Sequence, residues 1–110
     1  MTLRYLPPIE APDRADIDKL PGPVLLQFGT EWCGHCRAAA TPVQEALARY
    51  PQVRHIAVED GSGRALGRSF RVKLWPTLVL LSDGQEVERL VRPTASADVQ
   101  EALARLLRGG

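Results

Sequence analysis

The feature that most constrains the fold is a short apolar run followed at once by an amphipathic helix, with two cysteines between them. The run Val24–Phe28, VLLQF, has the length and apolar content of a strand buried on both faces. After Glu31–Cys36, EWCGHC, apolar residues recur at helical spacing as far as about Tyr50. A buried strand followed directly by a helix opens a βαβ unit, so we expect an α/β domain.

The remaining patterns predict the other elements of such a domain. Val53–Glu59 and Thr77–Leu81 are predicted strands, and an Asp-Gly turn joins the second of them to a hairpin partner at Glu86–Val91. Further helices are predicted at Asp13–Leu20, at Arg64–Phe70 and after Ser96, which is a candidate N-cap. This order is typical of a central mixed β-sheet flanked by helices.

Length and composition limit the chain to one domain and exclude several classes of partner. With 110 residues, of which 45% are hydrophobic and 25% charged, it can bury one ordinary core. We expect a single domain over residues 1–110, in which the proline-rich residues 1–12 form an irregular N-terminal arm. A net charge of +1 offers no bulk attraction to nucleic acid, and no apolar run is long enough to cross a membrane. We therefore expect no nucleic-acid or membrane partners. We also expect a monomer, although the sequence carries no signal for the oligomeric state.

The cysteine count bears on the compartment and on the chemistry. The N-terminal segment lacks the apolar core of a signal peptide, so we expect a cytoplasmic protein. Thiols are kept reduced in the cytoplasm, and Cys33 and Cys36 are the only cysteines in the chain. The pair therefore indicates catalysis or metal binding rather than a structural disulfide.

The position of the cysteines favours redox chemistry. Cys33 falls near the start of the predicted helix, where unpaired N–H groups and the helix dipole stabilise a thiolate and lower its pKa. Cys36 lies one turn further along, where we expect it to be more buried. This arrangement suits a two-step exchange, in which Cys33 attacks a substrate disulfide and Cys36 then resolves the mixed disulfide.

The residues around the cysteines admit more than one interpretation. Gly34 would permit a tight entry into the helix, and a protonated His35 would stabilise a thiolate and make the disulfide more oxidising. His35 is also interpretable as a solvated loop residue, and Trp32 as a packing residue rather than a substrate contact. A zinc site needs four ligands, and His35 and His55 are the only histidines, so we expect no metal. Two inert buried thiols would not explain a helix that begins at them.

Two segments together resemble the thioredoxin family. WCGHC matches the WCxxC core of that family, and FRVKLWPT, some forty residues later, resembles the segment that carries its cis-proline. The CGHC form is similar to protein disulfide isomerases, whereas ordinary thioredoxins have CGPC. The resemblance covers roughly residues 20–108. It implies a thioredoxin fold and thiol–disulfide oxidoreductase activity on disulfide-containing proteins. Because the chain has no nucleotide-binding fingerprint, we expect no cofactor of its own and a separate reductase as electron donor.

The same resemblance implies a substrate-binding edge. Pro76 would be the cis-proline that faces the cysteines, and the backbone of Trp75 would pair with the substrate, with Thr77 and Arg92 alongside. An X-Pro bond is the one common site of a cis peptide, although Pro76 could instead open its strand in trans. With the cysteine motif present, we expect the cis form.

The chain departs from the family pattern in residues that bear on activity. Gln27 stands six residues before Cys33, where relatives carry a buried Asp or Glu, and it cannot titrate. Glu59, at the end of the next strand, is a possible substitute base, although a solvated strand end is the simpler interpretation. Arg92 and Pro93 stand where a small Gly-Ala pair is usual, which would make the substrate groove narrower and more basic.

Three functions remain open from the sequence. The leading hypothesis is a thioredoxin-type protein disulfide reductase. A disulfide isomerase or oxidant would suit the CGHC motif, although the expected cytoplasmic location argues against it. A thioredoxin-fold binding or chaperone adaptor with incidental redox activity is the third, and the intact cysteine pair argues against it.

Overall fold

Strand β1 (Pro23–Gly29) occupies the interior of the sheet because its side chains can be buried on both faces. The computed structural model describes residues 4–109. The other strands are β2 (Arg54–Glu59), β3 (Thr77–Ser82) and β4 (Gln85–Val91), and the helices are α1 (Arg14–Asp18), α2 (Gly34–Ala48), α3 (Ala65–Ser69) and α4 (Ser96–Leu107). The strand order is β2-β1-β3-β4, parallel between β1 and β2 and antiparallel elsewhere. The predicted mixed sheet flanked by helices is therefore confirmed.

Alternate residues of the central strands face two separate apolar layers. One layer joins Leu25 and Leu80 to the inner faces of α2 and α4. The other joins Leu26 and Phe28 to α1 and α3. Gln27 belongs to the same face of β1 as Leu25, because side chains two residues apart point to the same side of a strand. Its side chain is fully buried on the α2 side of the sheet.

The predicted element boundaries agree with the structure to within a few residues, and one cap assignment is wrong. Ser96 is the first residue of α4, and Ala95 occupies the N-cap position without a side-chain cap. The Ser96 hydroxyl instead accepts a hydrogen bond from Gln100 Nε2 at 2.8 Å. Because Ser96 is itself the first helical residue, its hydroxyl does not occupy the N-cap position that the sequence predicted.

The N-terminal arm adds an element that the sequence did not predict. Leu6 forms an isolated parallel bridge with Val58, at the outer edge of β2. The Leu6 N–H donates to the Ala57 carbonyl and the Glu59 N–H donates to the Leu6 carbonyl, both at 2.8 Å. These bonds hold the preceding residue, Tyr5, against the sheet, where it is 3% exposed.

None of the helices within residues 4–109 has the length and apolar content needed to cross a bilayer.

Candidate active site

Cys33 occupies the N-cap of α2, at the point where the loop after β1 becomes helical. Its backbone is extended, with φ −78° and ψ 125°, and its sulfur accepts a hydrogen bond from the Cys36 N–H at 3.4 Å. The thiol therefore replaces the hydroxyl or carboxylate oxygen that usually caps a helix. It is half-buried, whereas Cys36, in the first turn, is 2% exposed. Both cysteines are free thiols.

The surroundings of Cys33 favour its thiolate. Burial raises the pKa of Cys33, but hydrogen bonds from the Cys36 thiol and from two backbone N–H groups more than offset this effect. These N–H groups belong to Cys36 and His35, at the open start of the helix. The positive charge of Arg92 contributes in the same direction. The net result is a pKa of Cys33 below its ordinary value.

The surroundings of Cys36 have the opposite effect. Burial raises the pKa of Cys36 to about 11, and the neighbouring Cys33 adds to that rise. A backbone hydrogen bond with Thr30 and a side-chain hydrogen bond with Tyr5 act against it. The site thus contains one thiol that ionises readily and one that keeps its proton. This separation matches the roles that the sequence predicts for an attacking and a resolving cysteine.

A chain of hydrogen bonds lies beneath the cysteines. Gln27 Nε2 donates to the Tyr5 hydroxyl at 2.8 Å, and Gln27 Oε1 is 2.9 Å from His55 Nε2. Burial raises the pKa of Tyr5 above its usual range and lowers the pKa of His55 to about 4. Both side chains are therefore neutral near pH 7.

Gly29 makes this arrangement possible. A Cβ atom placed on Gly29 would lie 2.6 Å from Cys36 Sγ and 2.7 Å from the Tyr5 hydroxyl oxygen. Both distances are too short for any side chain, so only glycine allows the two groups to approach the backbone here. The Tyr5 hydroxyl and the Cys36 thiol consequently lie beside the space that a side chain on Gly29 would fill.

Two tryptophans form the apolar surface next to the cysteines. Trp32 is 69% exposed, and its ring packs edge-on against Trp75 with centroids 5.8 Å apart. Trp75 packs against the buried cluster that contains Cys36, and its indole N–H donates to Asp60 Oδ2 at 2.9 Å. Trp75 is thereby fixed in place, whereas Trp32 presents most of its surface to solvent.

Arginine side chains hold the backbone on either side of the site. Arg92, at the end of β4, has a left-handed φ of 52°, and its Nε donates to the Trp75 carbonyl at 2.8 Å. On the other side, Arg37 donates to the carbonyls of Glu31 and Trp32 at 3.2 and 3.4 Å. Two cationic groups therefore lie close to the cysteine loop.

The structure supports some of the predicted local geometry and corrects the rest. The Trp75–Pro76 peptide bond is cis, as predicted. Thr77, predicted to contact substrate, is 2% exposed, and its hydroxyl donates to the Leu74 carbonyl at 2.6 Å, so its side chain does not reach the surface. Gly34 has no atom within 4 Å of a placed Cβ and no positive φ, so the helix start does not require glycine there.

Two further predicted residues lie at the surface or in an ion pair. His35 is exposed, so its imidazole can act on the cysteines only from solvent. Glu59 pairs with Arg64 at 3.3 Å, which favours its interpretation as a strand end rather than as a substitute base. Within residues 4–109, no cluster of three or more His, Cys, Asp or Glu side chains is placed to hold a metal ion.

Sequence reasoning missed Tyr5 altogether and considered His55 only as a zinc ligand. Strand alternation could have located His55: it shares a face of β2 with Ala57, which is the register partner of Gln27. No pattern in the sequence places Tyr5, because the arm has neither strand nor helix periodicity.

The chain is similar to one protein-family model and to solved structures. The family model described as Thioredoxin matches residues 14–105. The solved structure of reduced thioredoxin 2 from Pseudomonas aeruginosa PAO1 is 53% identical, with a TM-score of 0.86 and coverage of 100% of both chains.

Curated relatives give matches over a shorter region. A thioredoxin of Aspergillus fumigatus is 40% identical over 70 residues, which are 64% of this chain and 65% of that protein. A thioredoxin of Chlamydia trachomatis serovar D is 45% identical over 71 residues, or 64% of this chain and 69% of that protein. The matched region thus spans just under two thirds of the Aspergillus relative.

Proposed function

The chain belongs to the thioredoxin family, and on that basis we propose that it is a thiol–disulfide oxidoreductase that reduces disulfides of other proteins. The observation that carries the proposal is the contrast between the two thiols. Cys33 caps a helix and has a lowered pKa, whereas Cys36 lies buried one turn away with its pKa raised to about 11.

In the proposed mechanism, each thiol has its own step. The Cys33 thiolate attacks one sulfur of the substrate disulfide, forms a mixed disulfide and releases the other substrate sulfur as a thiolate. Cys36 then loses its proton and attacks the Cys33 sulfur. The bond between Cys33 and the substrate breaks, the second substrate thiol leaves, and the protein is left oxidised at Cys33–Cys36. Two electrons pass to the substrate in the whole cycle.

The proposed substrate contact is the surface formed by Trp32 and Trp75, next to the buried Pro76. The exposed ring of Trp32 offers apolar area beside Cys33, and the fixed ring of Trp75 supports it. Arg92 adds positive charge to this surface and also occupies the Trp75 carbonyl. We therefore expect a substrate strand to compete with Arg92 for that carbonyl, and acidic or neutral segments to be preferred over basic ones.

The proposed cycle needs electrons from outside the chain. We propose that a separate reductase of the thioredoxin reductase class reduces the Cys33–Cys36 disulfide. Such a cycle suits the cytoplasm, where thiols are kept reduced.

We also propose that the protein is a monomer, which light scattering of the purified protein would test.

Reduction of insulin by dithiothreitol is the direct test, because the liberated chains precipitate. We expect the unsubstituted protein to accelerate precipitation and Cys33→Ser to abolish that acceleration. Cys36→Ser should instead accumulate mixed disulfides, which intact-mass measurement detects. Alkylation by iodoacetamide near neutral pH should modify Cys33 first. Faster labelling of Cys36 would reverse the assignment of the two thiols. Acceleration that survives loss of both cysteines would refute the redox proposal and favour an adaptor.

A disulfide isomerase or oxidant is the second candidate, and one electrostatic feature favours it. Arg92 and the helix N–H groups stabilise the Cys33 thiolate, and stabilising the reduced form makes the disulfide more oxidising. Equilibration with glutathione decides between the two. A potential near about −270 mV, typical of thioredoxin, supports the reductase, whereas one near about −180 mV, typical of protein disulfide isomerase, supports the isomerase.

A further inference from the structure

We propose that the Tyr5 hydroxyl donates a hydrogen bond to the Cys36 thiolate in the second exchange step, and that Gln27 and His55 act as positioning residues which align it. The inference deepens the proposed function and rests on it. Tyr5 would be a catalytic residue in this step, because its hydroxyl would bind the reacting sulfur.

The direction of the hydrogen-bond chain supports this assignment. The Gln27 amide nitrogen faces Tyr5 and donates to its oxygen, which leaves the Tyr5 hydrogen free to point elsewhere. The Gln27 carbonyl oxygen can only accept, so His55 Nε2 must carry the hydrogen between them. The hydrogen bonds therefore run in one direction, from His55 through Gln27 to Tyr5, and leave the Tyr5 hydroxyl free to donate to Cys36.

The Tyr5 hydroxyl and the Cys36 sulfur border the same space beside the Gly29 backbone. A Cβ atom placed on Gly29 would lie 2.7 Å from Tyr5 Oη and 2.6 Å from Cys36 Sγ, so both groups face one point above the sheet. Tyr5 remains a donor and does not act as a base, because burial raises the pKa of its phenol above the usual range.

The second step is where this bond has most effect. In the reduced protein, Cys33 raises the pKa of Cys36 both through its charge and by accepting a hydrogen bond from the Cys36 thiol. Both contributions disappear once Cys33 is in a mixed disulfide, because its sulfur then carries no charge. Burial still opposes ionisation of Cys36, and the hydrogen bonds with Tyr5 and with the Thr30 backbone remain to offset it.

The step balances without another reactant. The Cys36 thiolate attacks the Cys33 sulfur, the bond between Cys33 and the substrate sulfur breaks, and the substrate leaves as a thiolate. The proton lost by Cys36 passes through water to that leaving sulfur. Tyr5 keeps its own proton throughout, so it lowers the free energy of the thiolate without being consumed.

His55 lies where the chain of hydrogen bonds reaches the surface. It lines a cleft of ≈ 670 Å³ next to the N-terminal arm, together with Arg4, Leu6 and Ala57. The remaining charged groups at this cleft are Glu10, Asp16 and Arg54. Burial keeps His55 neutral near pH 7, so it donates to Gln27 without placing a positive charge beneath the cysteines.

The test measures the pKa of Cys36 in a Cys33→Ser background, which removes the Cys33 charge as the mixed disulfide does. The rate of iodoacetamide labelling against pH gives that pKa, since Cys36 is then the only thiol. Adding Tyr5→Phe removes one oxygen and should raise the pKa by about one unit, a tenfold loss of thiolate. Tyr50→Phe, which removes the hydroxyl of the other tyrosine at a site packed against the core layer of Leu25 and Leu80, should leave the pKa unchanged. An unchanged pKa in folded Tyr5→Phe overturns the inference.

A second measurement avoids the tyrosine substitution. In Cys33→Ser, the Tyr5 ring carbon that carries the oxygen should shift in its NMR spectrum at the pH where Cys36 ionises. This shift should be missing when Cys36 is also serine, and a Tyr5 signal identical in the two proteins overturns the inference. Neither readout needs a substrate. If the protein fails to reduce insulin, the proposed function fails, while these measurements still decide whether Tyr5 binds the thiolate.

Discussion

Arg92 Nε donates a hydrogen bond to the main-chain carbonyl of Trp75 at 2.8 Å, although Arg92 itself has a left-handed backbone. The same side chain lowers the pKa of Cys33 through its positive charge. One residue at the end of β4 is thus linked to both the residue before the cis-proline and the proposed attacking sulfur. A substitution can remove the charge of Arg92 and keep an N–H donor, which separates the effects of the two.

Substitution of Arg92 is expected to slow the first step through charge. Arg92→Gln retains N–H donors but removes the charge, so the pKa of Cys33 should rise and labelling of Cys33 at pH 7 should slow. Arg92→Lys should stay close to the unsubstituted protein. Since ~1 M salt shortens the screening length to about 3 Å, the difference in Cys33 labelling rate between Arg92→Gln and the unsubstituted protein should shrink at that salt concentration. Equal slowing by Gln and Lys would show that geometry, not charge, is responsible.

Gly29→Ala is expected to destabilise the fold and disturb the buried thiol. The added methyl would overlap both Cys36 Sγ and the Tyr5 oxygen, and overpacking of this kind costs about 1–3 kcal/mol. Gly34→Ala is a matched control: nothing lies within 4 Å of its Cβ, and it should be neutral or stabilise by up to about 1 kcal/mol. Urea denaturation gives both values. A Gly29→Ala protein as stable as the Gly34→Ala protein would contradict the close approach of Tyr5 and Cys36 to the Gly29 backbone.

The lowered pKa of His55 in the folded protein predicts a loss of stability in mild acid. Its pKa is about 4 in the folded protein and about 6.5 in the unfolded chain, so only the unfolded chain takes up the proton between these values. Stability due to neutral His55 is complete above pH 6.5 and should fall by about 2–3 kcal/mol as the pH drops to 4. His55→Gln, which keeps an N–H donor but does not titrate, should flatten this part of the profile. His35→Gln, at an exposed site, should leave it unchanged.

Gln27→Glu is expected to add a pH dependence that the protein lacks. The side chain is fully buried, so a carboxyl there should have a raised pKa and destabilise the fold progressively as the pH rises above about 4.3. A carboxylate would also accept the Tyr5 hydrogen and draw it away from Cys36. We expect lower stability at pH 7 and an extra ionisation in the pH profile of disulfide reduction. Gln52→Glu, at an exposed position, should produce neither effect.

The sheet and helices were predictable because their patterns are strong and local. VLLQF and TLVLL are long enough to identify buried strands, and α2 and α4 carry apolar residues at helical spacing. Membership of the thioredoxin family and the cis bond before Pro76 were predicted from two short segments and are confirmed. The predicted cap at Ser96 is wrong because the helix begins at Ser96 itself, which makes Ala95 the N-cap, and sequence patterns do not fix a helix boundary to one residue.

The environment of the cysteines was only partly predictable. Gln27 was predicted to stand near the cysteines with a side chain that cannot titrate, but its hydrogen-bond partners come from distant parts of the chain. The contact with His55 depends on the parallel register of β1 and β2, which strand patterns alone do not determine. Tyr5 is placed by two backbone hydrogen bonds of the next residue, for which the sequence has no signal. The roles proposed for these residues remain predictions.

The bridge between Leu6 and Val58 has a consequence for association as well as for chemistry. β2 is an outer strand of the sheet, and unpaired N–H and C=O groups on such a strand can recruit another chain. Leu6 occupies one N–H and one C=O of that strand, so the arm shields part of its open side. Removing residues 1–6 would therefore expose the backbone of an edge strand, which favours aggregation. The same truncation would remove the Tyr5 hydroxyl from the surroundings of the Cys36 thiol.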